Sequence, residues 1–588
     1  MVHYFSRRSL TWTAITVFAL VLLLQTLSYV HLILIQDTTV DNVSVETDVE
    51  ANVADRDFAA LQLYLASLCI IYVVLTLTKW HLTSQTRHKR RTGQEEQLCN
   101  NAQVRTVYSW LRRLLSLRIF GIVPPLGQII QASILVALNA LLLLLSSHTA
   151  TSIPTRAGQL ALVNMSMAVA LSARVYTLWR GYGIEQTLKF HRWFAWIGAS
   201  QTLYHATFYF NKMYRKQKLL YKLMNDVRYP SGLVLVTSVT ILILGSHPLI
   251  RATAYRLFRL THLISFTAIV AAGMFHHWIF IIFYTVVAFV WMWDQWQLWK
   301  SSSPARVVAI EALPGNICKL QVQPSYSLAP ADFYPGQFAF VSFRGNFLTS
   351  RIAPNAFSIS RVDYTDNMLR EEEEQKPGDA TGHALLTFYI RAKGARTLAL
   401  RQLGLSGGSQ AKMDRFRVSR PIGYPVLDFA GREYSDFHTV VLVCEGIGFT
   451  PWLSVLQHLG KKGHRIATQH VTLIWTMQNA DTLRSLSKEL KDLLIAAQID
   501  YKVKVHLTRQ LLSQVDESIF PFYLELESGY PDYKLLFEEI RSKNTTTDVA
   551  LGICAHNETV DICSDIARSK QFSHRDAMWV VRCEQFEL

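Results

Sequence analysis

The sequence has little charge and lacks the usual cysteine motifs. Charged residues make up 18% of its 588 residues, against about 25% in an average soluble protein. The seven cysteines form no Cys-x-x-Cys pair, no zinc-ligand spacing and no Cys-x-x-Cys-His for covalent haem. A disulfide framework and a thiolate metal site are therefore not predicted. Since 50% of the residues are hydrophobic, a large part of the chain is expected to lie in a membrane.

Long apolar runs are present, and all of them precede residue 300. A membrane-spanning helix needs about 20 apolar residues, and eight runs qualify. They cover residues 12–35, 58–79, 119–145, 158–178, 190–210, 231–246, 257–277 and 279–299. The first run is also compatible with a signal peptide, although its length favours a retained helix. Residues 301–588 show short strand patterns, Gly/Pro turns and helical stretches, which predict a soluble α/β region.

Loop charge predicts the orientation of these spans. Residues 37–57 hold seven acidic residues and one basic, whereas residues 80–118 hold eight basic residues and two acidic. Because cytoplasmic loops are rich in Lys and Arg, segment 80–118 and the C-terminal half are expected in the cytosol. The net charge of +15 is interpreted in the same way, so nucleic acid is not an expected partner, whereas membrane lipid is.

The segment 211–230 breaks the charge rule. It carries six basic residues and one acidic residue on the predicted outer side of the membrane. Either a span is miscounted, or the segment serves a purpose such as attracting anionic substrates.

Two spans carry histidine pairs with the same spacing. His191 and His205 are 14 residues apart, and so are His262 and His276. A step of 14 residues falls about 40° short of four helical turns and climbs about 21 Å, so both members of a pair lie near one face. His191 is therefore expected to face His262 near the cytosolic side, and His205 to face His276 near the outer side.

Two imidazoles that meet across a helical bundle are suitable axial ligands for a haem iron, and two such levels predict two stacked haems. For any one histidine alone, a hydrogen bond to a neighbouring helix is the simpler interpretation. His277, about 60° past the four-turn repeat, is the alternative to His276 as the fourth ligand.

With these histidines and the approach Tyr255-x-x-Phe258-x-x-x-His262, residues 119–588 resemble the ferric reductase and NADPH oxidase superfamily of membrane flavocytochromes b. The gap of 13 residues within both pairs is most similar to the fungal ferric-chelate reductases. The resemblance implies a six-helix core with two b-type haems, preceded by two N-terminal helices. A cytosolic ferredoxin-reductase-like module, consisting of an FAD-binding β-barrel and an α/β nucleotide-binding domain, is then expected to follow.

Motifs of the soluble half resemble the flavin segments of that family. Pro335-Gly336-Gln337-Phe338 is similar to the turn that opens the flavin barrel, and Pro421-Ile-Gly423 to the turn that ends it. In Asn355-Ala-Phe357-Ser358-Ile359, the phenylalanine would pack on the flavin and the hydroxyl would bond its ring nitrogen. The second flavin segment, which would meet the pyrophosphate, consists of Arg391, Gly394 and Thr397.

A strand, a glycine turn and a helix then follow, as at the family's NADPH site. The strand ends at Cys444, and glycines at such a turn let a pyrophosphate approach the backbone amides of the helix. The implied cofactor-binding residues of this segment are Gly446, Gly448, Thr450 and Pro451. Gln478 stands where the family usually has an arginine for the adenosine phosphate, so NADPH and NADH both remain open as donors.

Two later positions complete the resemblance. Cys554 corresponds to the cysteine beside the nicotinamide, although Ala555-His556 stands in place of the family's Gly-Pro. Phe586 corresponds to the terminal aromatic residue that covers the flavin, and a buried tail aromatic is an equal alternative.

The resemblance implies four domains: 1–118 with the N-terminal helices, 119–300 with the haems, 301–430 for FAD and 431–588 for NAD(P)H. The predicted function is electron transfer from cytosolic NAD(P)H, through FAD and two haems, to external ferric or cupric chelates. The alternatives are a superoxide-producing oxidase that uses dioxygen, a non-catalytic membrane protein of this descent, and a transporter that uses intramembrane histidines. The plasma membrane is the expected location and an internal membrane the alternative, while the oligomeric state is left open.

Overall fold

The computed structural model describes most of the chain after residue 125. The described residues are 126–144, 152–172, 184–328, 333–343, 355–364, 384–407, 416–423, 427, 432–460, 466–495, 499–510, 512–515, 524–543, 547–569 and 578–584. The spans predicted at 12–35 and 58–79, the segments 37–57 and 80–118, and Phe586 lie outside them. A helical unit ends at Gln297 and a mixed α/β unit begins at Leu298.

Helices make up the described part of the first unit. They are α1 (Leu126–Leu144), α2 (Ser152–Leu171), α3 (Ile184–Arg215), α4 (Leu219–Asn225), α5 (Arg228–Gly245), α6 (Pro248–Thr253), α7 (Tyr255–His276) and α8 (Trp278–Ser301). The described parts of the six runs predicted between residues 119 and 299 are therefore mainly helical. Within the described residues, α5, α7 and α8 are long and apolar enough to cross a membrane by length and composition.

Apolar side chains hold the helical unit together, and one amide cluster interrupts them. Leu160, Val163, Val239 and Ile269 are buried members of the shared core. Asn164 of α2 donates to the side-chain oxygens of Asn139, at 2.7 Å, and Gln201, at 2.9 Å. These bonds satisfy polar groups that would be costly in hydrocarbon, and they fix α1, α2 and α3 relative to one another.

An antiparallel sheet opens the second unit. Its strands are β1 (Ser302–Leu313), β2 (Ile317–Pro324), β3 (Phe338–Phe343), β4 (Asn355–Ser358), β5 (Arg361–Tyr364), β6 (Ala384–Arg391) and β7 (Phe416–Ser419). The spatial order is β4-β3-β7-β1-β2-β6-β5. Alternate residues of β1 and β2 are buried, as expected of strands with one face toward a core. Helix α9 (Ala395–Leu405) follows β6.

A parallel sheet with helices forms the rest of the unit. Its strands are β8 (Thr439–Glu445), β9 (His470–Met477), β10 (Asp500–Leu507), β11 (Leu524–Ser528), β12 (Val549–Cys554) and β13 (Trp579–Cys583), and its helices are α10 (Thr450–Leu459), α11 (Asp481–Ile495), α12 (Tyr533–Lys543) and α13 (Asn557–Ser569). The order β11-β10-β9-β8-β12-β13 puts β8 in the interior, which explains its continuous apolar run. The α/β region predicted from the sequence is confirmed.

Polar contacts join the two sheets within this unit. The Glu489 carboxylate of α11 accepts hydrogen bonds from Lys319 Nζ of β2, at 2.9 Å, and from Tyr389 Oη of β6, at 2.6 Å. The amide of Gln457 on α10 bonds both backbone groups of Val362, at 2.9 and 3.0 Å. These bonds fix the antiparallel sheet against α10 and α11, two helices of the parallel sheet.

Glu489→Gln tests this junction through its pH dependence. Burial by itself would raise the pKa of Glu489, but the hydrogen bonds from Tyr389 and Lys319 outweigh it and hold the pKa below the ordinary value. A lowered carboxyl pKa stabilises the fold above the ordinary glutamate pKa, and this contribution is lost as pH falls through the lowered value. The variant should therefore melt a few degrees lower at pH 7, and the difference should disappear on acidification.

Thermal melts of the full-length protein between pH 3 and 8 measure this difference. Asp500→Asn is the control, because the carboxylate of Asp500 is 77% exposed and such pairs contribute little. If the melting temperature of Glu489→Gln stayed below that of the wild type by the same amount at every pH, the ionic role of Glu489 would be contradicted.

Candidate functional site

The helical unit brings the four predicted histidines together as two pairs. The ring centres of His191 and His262, here called the inner pair, are 6.3 Å apart, and those of His205 and His276, the outer pair, are also 6.3 Å apart. An imidazole nitrogen binds a transition metal at about 2.0–2.1 Å, so two rings on opposite sides of one ion have centres about 6 Å apart. Both pairs therefore have the spacing that one bis-imidazole iron requires.

Hydrogen bonds from neighbouring helices hold Nδ1 of every ring in these pairs. Three of the acceptors are backbone carbonyls, and the fourth is a hydroxyl. The contacts are His191 to Ala168 O at 2.6 Å, His205 to Pro154 O at 2.8 Å, His276 to Arg228 O at 2.8 Å and His262 to Ser246 Oγ at 3.2 Å. Because Nδ1 carries the proton in such a bond, Nε2 is left as the basic nitrogen that can bind a metal.

Two glycines make room for the outer pair. A Cβ on Gly158 would lie 2.8 Å from Nδ1 of His205, and a Cβ on Gly232 would lie 3.0 Å from Cε1 of His276. Both distances are below ordinary contact, so a larger residue at either position would displace the ring. Sequence analysis did not single out these glycines, because a helical glycine gives no signal until its neighbour is known.

His277 does not join the outer pair. It caps the end of α7 with extended backbone angles, and its ring lies beside Trp278, with the centres 5.8 Å apart. His276 is still helical and faces His205. The geometry therefore favours His276 among the two alternatives.

The helical unit has an open cleft of about 540 Å³. It is lined by residues of α3, α4 and α5, among them Ala206 and Phe210, close after His205, and Val236, one turn after Gly232. Cofactor pockets commonly have volumes of roughly 300–1,000 Å³ and mostly apolar walls.

The flavin-type residues lie along the antiparallel sheet. Ser358 is buried at the end of β4, and half-buried Phe357 packs against the core of that sheet. Gly394 precedes α9, and the Thr397 hydroxyl accepts hydrogen bonds from the backbone N–H of Lys393 and Gly394, both at 3.1 Å. Thr397 therefore satisfies these two amides before α9, which is a more local role than a direct bond to a ligand.

The glycine turn after β8 is held by its surroundings. Gly446 has φ +53°, a left-handed conformation that favours glycine. Trp475 Nε1 donates to Gly446 O at 2.8 Å, and the Trp475 ring stacks on Phe449 with the centres 4.3 Å apart. A Cβ on Gly446 would lie 3.7 Å from the Arg391 guanidinium. The predicted flavin arginine and the predicted nucleotide turn are thus neighbours.

Gly448 packs directly against the carbonyl oxygen of Cys554, where β8 and β12 end side by side. Thr450 and Pro451 are buried in the first turn of α10. The turn, the start of α10 and Cys554 therefore meet at the carboxyl edge of the parallel sheet, where α/β proteins of this kind bind nucleotides.

A carboxylate that sequence analysis missed stands at the same edge. Glu445 accepts hydrogen bonds from the backbone N–H and ring of His556 and from the Thr559 hydroxyl. Burial alone would raise the pKa of Glu445, but these bonds outweigh it and hold the pKa below its ordinary value. The pair Glu445–His556 thus ties β8 to the start of α13. His556, which stands in place of the family's proline, is thus held by Glu445.

Comparison with known proteins agrees with these two halves. Residues 157–273 match the family described as "Ferric reductase like transmembrane component", and residues 437–575 match "Ferric reductase NAD binding domain". These matches support a divergent member of the ferric reductase family.

Individual relatives are distant. The "Probable cell surface ferric reductase kap2" of Aspergillus oryzae is 24% identical over 57% of this chain and 45% of its own length, and "Dual oxidase 2" of Sus scrofa is 23% identical over 47% and 17%. The chain spans less than half the length of the curated relatives it matches. The flavohemoglobin of Malassezia yamatoensis, solved with FAD and haem, matches with a TM-score of 0.35 and 14% identity over 74% of this chain and 97% of its own.

Gly448→Ala tests the close packing of the nucleotide turn. The added methyl group would collide with the Cys554 carbonyl, so the turn or the end of β12 must move, at a cost of about 1–3 kcal/mol. We expect a lower melting temperature of the full-length protein by calorimetry. Gly394→Ala is the matched control, since a Cβ there meets nothing within 4 Å. Equal melting temperatures of the two variants would contradict the packing argument.

Proposed function

We propose that this protein transfers electrons from cytosolic NAD(P)H across a membrane to an external acceptor. The observation that carries the proposal is the equal spacing of the two histidine pairs, with ring centres 6.3 Å apart at both levels. The family matches of the transmembrane and NAD-binding parts support the same interpretation. A transporter would not need four histidines whose Nδ1 atoms are all tied to neighbouring helices.

The four histidines fit two b-type haems. His191 and His262 would hold the inner haem through Nε2, and His205 and His276 the outer haem. A haem iron supplies one-electron redox chemistry when bound. The contribution of the chain is to fix each imidazole by its hydrogen bond at Nδ1.

FAD and the nicotinamide nucleotide would occupy the second unit. FAD supplies the conversion of a hydride into single electrons. Arg391 would neutralise a pyrophosphate beside Gly446, because the guanidinium and the turn are neighbours. Phe357 and Ser358 would contact the flavin ring, and Cys554 would border the nicotinamide. Phe586 remains a proposal from the resemblance alone.

Anionic ferric chelates are the acceptor that the charges favour, with cupric chelates as a related possibility. The basic segment 211–230 directly adjoins the outer pair, since the carbonyl of Arg228 accepts the hydrogen bond of His276. Lys216 and Lys218 are exposed, and the predicted topology has this segment outside. Clustered cations raise the local concentration of an anionic substrate. Dioxygen carries no charge and would gain nothing from them.

Membranes supplied with NADPH test the acceptor. We expect trapped iron(II) to form from ferric citrate without oxygen. Lys216→Glu with Lys218→Glu should slow this rate severalfold at low ionic strength and much less in 0.5 M salt, because salt screens exposed charges. Lys534→Glu, at an exposed lysine of α12, is the control for a charge reversal outside the segment. Oxygen-dependent superoxide without iron reduction would establish the oxidase instead, and no nucleotide oxidation would establish a non-catalytic protein.

The donor is proposed to be NADPH. Arg509 follows β10 and donates its backbone N–H to Gln478 O at 3.0 Å, so the two residues are neighbours at the carboxyl edge of the sheet. The Arg509 side chain is exposed and, among the described residues, makes no ion pair. It can supply the guanidinium that Gln478 lacks for the 2′-phosphate.

Arg509→Ala should raise KM for NADPH about tenfold or more, the effect of one lost charge-assisted hydrogen bond. KM for NADH should hardly change, because NADH has no 2′-phosphate. Steady-state kinetics of the full-length protein with both nucleotides, and with Lys534→Ala as control, measure this. A similar loss with NADPH and NADH would exclude a role in nucleotide choice.

A further inference from the structure

His262 differs from the other histidines of the two pairs in the acceptor that holds its Nδ1. His191, His205 and His276 each bond a backbone carbonyl, at 2.6, 2.8 and 2.8 Å. His262 instead bonds the hydroxyl of Ser246, at 3.2 Å. The inner pair thus combines the shortest of the four bonds with the longest.

The acceptor on Nδ1 controls how strongly the ring donates to a metal. A strong acceptor draws the Nδ1 proton away and makes Nε2 more basic. A more basic axial ligand stabilises the ferric state over the ferrous state and so lowers the reduction potential of a haem. A hydroxyl at 3.2 Å is a weaker acceptor than a carbonyl at 2.8 Å, so His262 is the least basic of the four ligands by this criterion.

We propose that Ser246 is a positioning residue that sets the reduction potential of the inner haem through Nδ1 of His262. The proposal rests on the proposed function, since it requires that the inner pair hold a haem. Ser246 does not touch the iron. It acts through the orientation and basicity of one axial ring, and the outer pair is independent of it.

The end of α5 brings Ser246 to this position. Ser246 follows the last residue of the helix, and its backbone N–H bonds the carbonyl of Leu242. A Cβ on the preceding Gly245 would lie 2.5 Å from Thr261 Oγ1 of α7. Only glycine lets the two helices approach closely enough for Ser246 to reach His262, the residue after Thr261. The hydrogen bond between Ser246 and His262 therefore depends on the close approach of α5 and α7 at Gly245.

The outer pair supplies a matched control serine. Ser231 Oγ lies 3.4 Å from Nδ1 of His276, but Arg228 O already accepts from that nitrogen at 2.8 Å. Ser231 Oγ also bonds the carbonyls of Val227, at 2.7 Å, and of Arg228, at 3.1 Å. Removal of this hydroxyl leaves the Arg228 carbonyl as the acceptor of His276, whereas removal of the Ser246 hydroxyl takes away the acceptor of His262.

Potentiometric titration of the purified full-length protein, followed by haem absorbance and low-temperature electron paramagnetic resonance, tests the proposal. The rings of the inner pair are inclined at 44° and those of the outer pair at 80°, so the two ferric signals are expected to differ. Ser246→Ala should raise one midpoint potential, with a severalfold change in that reduction equilibrium, and alter only the corresponding signal. Ser246→Thr, which keeps the hydroxyl, should restore the wild-type values.

Two further variants serve as a second disruption of the contact and as a control. Gly245→Ala should shift the same midpoint in the same direction as Ser246→Ala, because it separates the end of α5 from α7. Ser231→Ala should shift neither midpoint. Unchanged midpoints in Ser246→Ala, equal shifts of both haems, or a Ser246→Thr variant that behaves like Ser246→Ala would each overturn the inference. A protein with no haem would overturn the proposed function itself, which is a distinguishable result.

Discussion

The hydrogen bonds between imidazole Nδ1 atoms and neighbouring helices are the constraint on which the helical unit depends. A histidine side chain in an apolar bundle has two polar nitrogens, and leaving either unpaired is costly. Pro154 O, Ala168 O and Arg228 O accept from three of the rings. Each bond restricts the orientation of its ring, and the rings face each other in two pairs with centres 6.3 Å apart. Gly158 and Gly232 complete it by leaving room for the outer rings.

In the second unit, the predicted flavin residue Arg391 and the predicted nucleotide-binding turn meet at the carboxyl edge of the parallel sheet. The bonds of Glu489 and Gln457 fix the antiparallel sheet against the helices of the parallel sheet. As a result, the Arg391 guanidinium lies against Gly446, a residue 55 positions later in the sequence. Trp475 and Glu445 then hold the turn and the end of the neighbouring strand in place. A rigid arrangement of this kind would favour the proposed hydride transfer, because the reacting groups need a fixed separation.

Much of this architecture could be predicted from the sequence because its signals are periodic. Apolar runs between residues 119 and 299 predicted the described helices, and the equal spacing of the histidines correctly predicted which rings face each other. The continuous apolar strand to Cys444 and its glycines gave the nucleotide turn. Family membership and the order of the two halves are confirmed, whereas the ligand roles of the histidines and of the flavin residues stay predictions.

Contacts between distant segments could not be predicted. The carbonyls that hold the rings come from proline, alanine and arginine, residues that carry no motif. Glu445 was missed because a carboxylate at the end of an apolar strand looks like an ordinary strand end, and its partner His556 is 111 positions away. Ser246 was missed because a serine after a helix is common. Arg509 becomes relevant to Gln478 only when β9 and β10 are neighbours.

The central claim, that the four histidines hold two haems at two levels, is tested most directly by haem content per chain in the purified protein. The account predicts two haems in the wild type, one in the double variant His191→Ala with His262→Ala, one in His205→Ala with His276→Ala, and none when all four are replaced. Pyridine haemochrome spectra give these values. A haem-free wild type, or a quadruple variant that keeps its haem, would contradict the account.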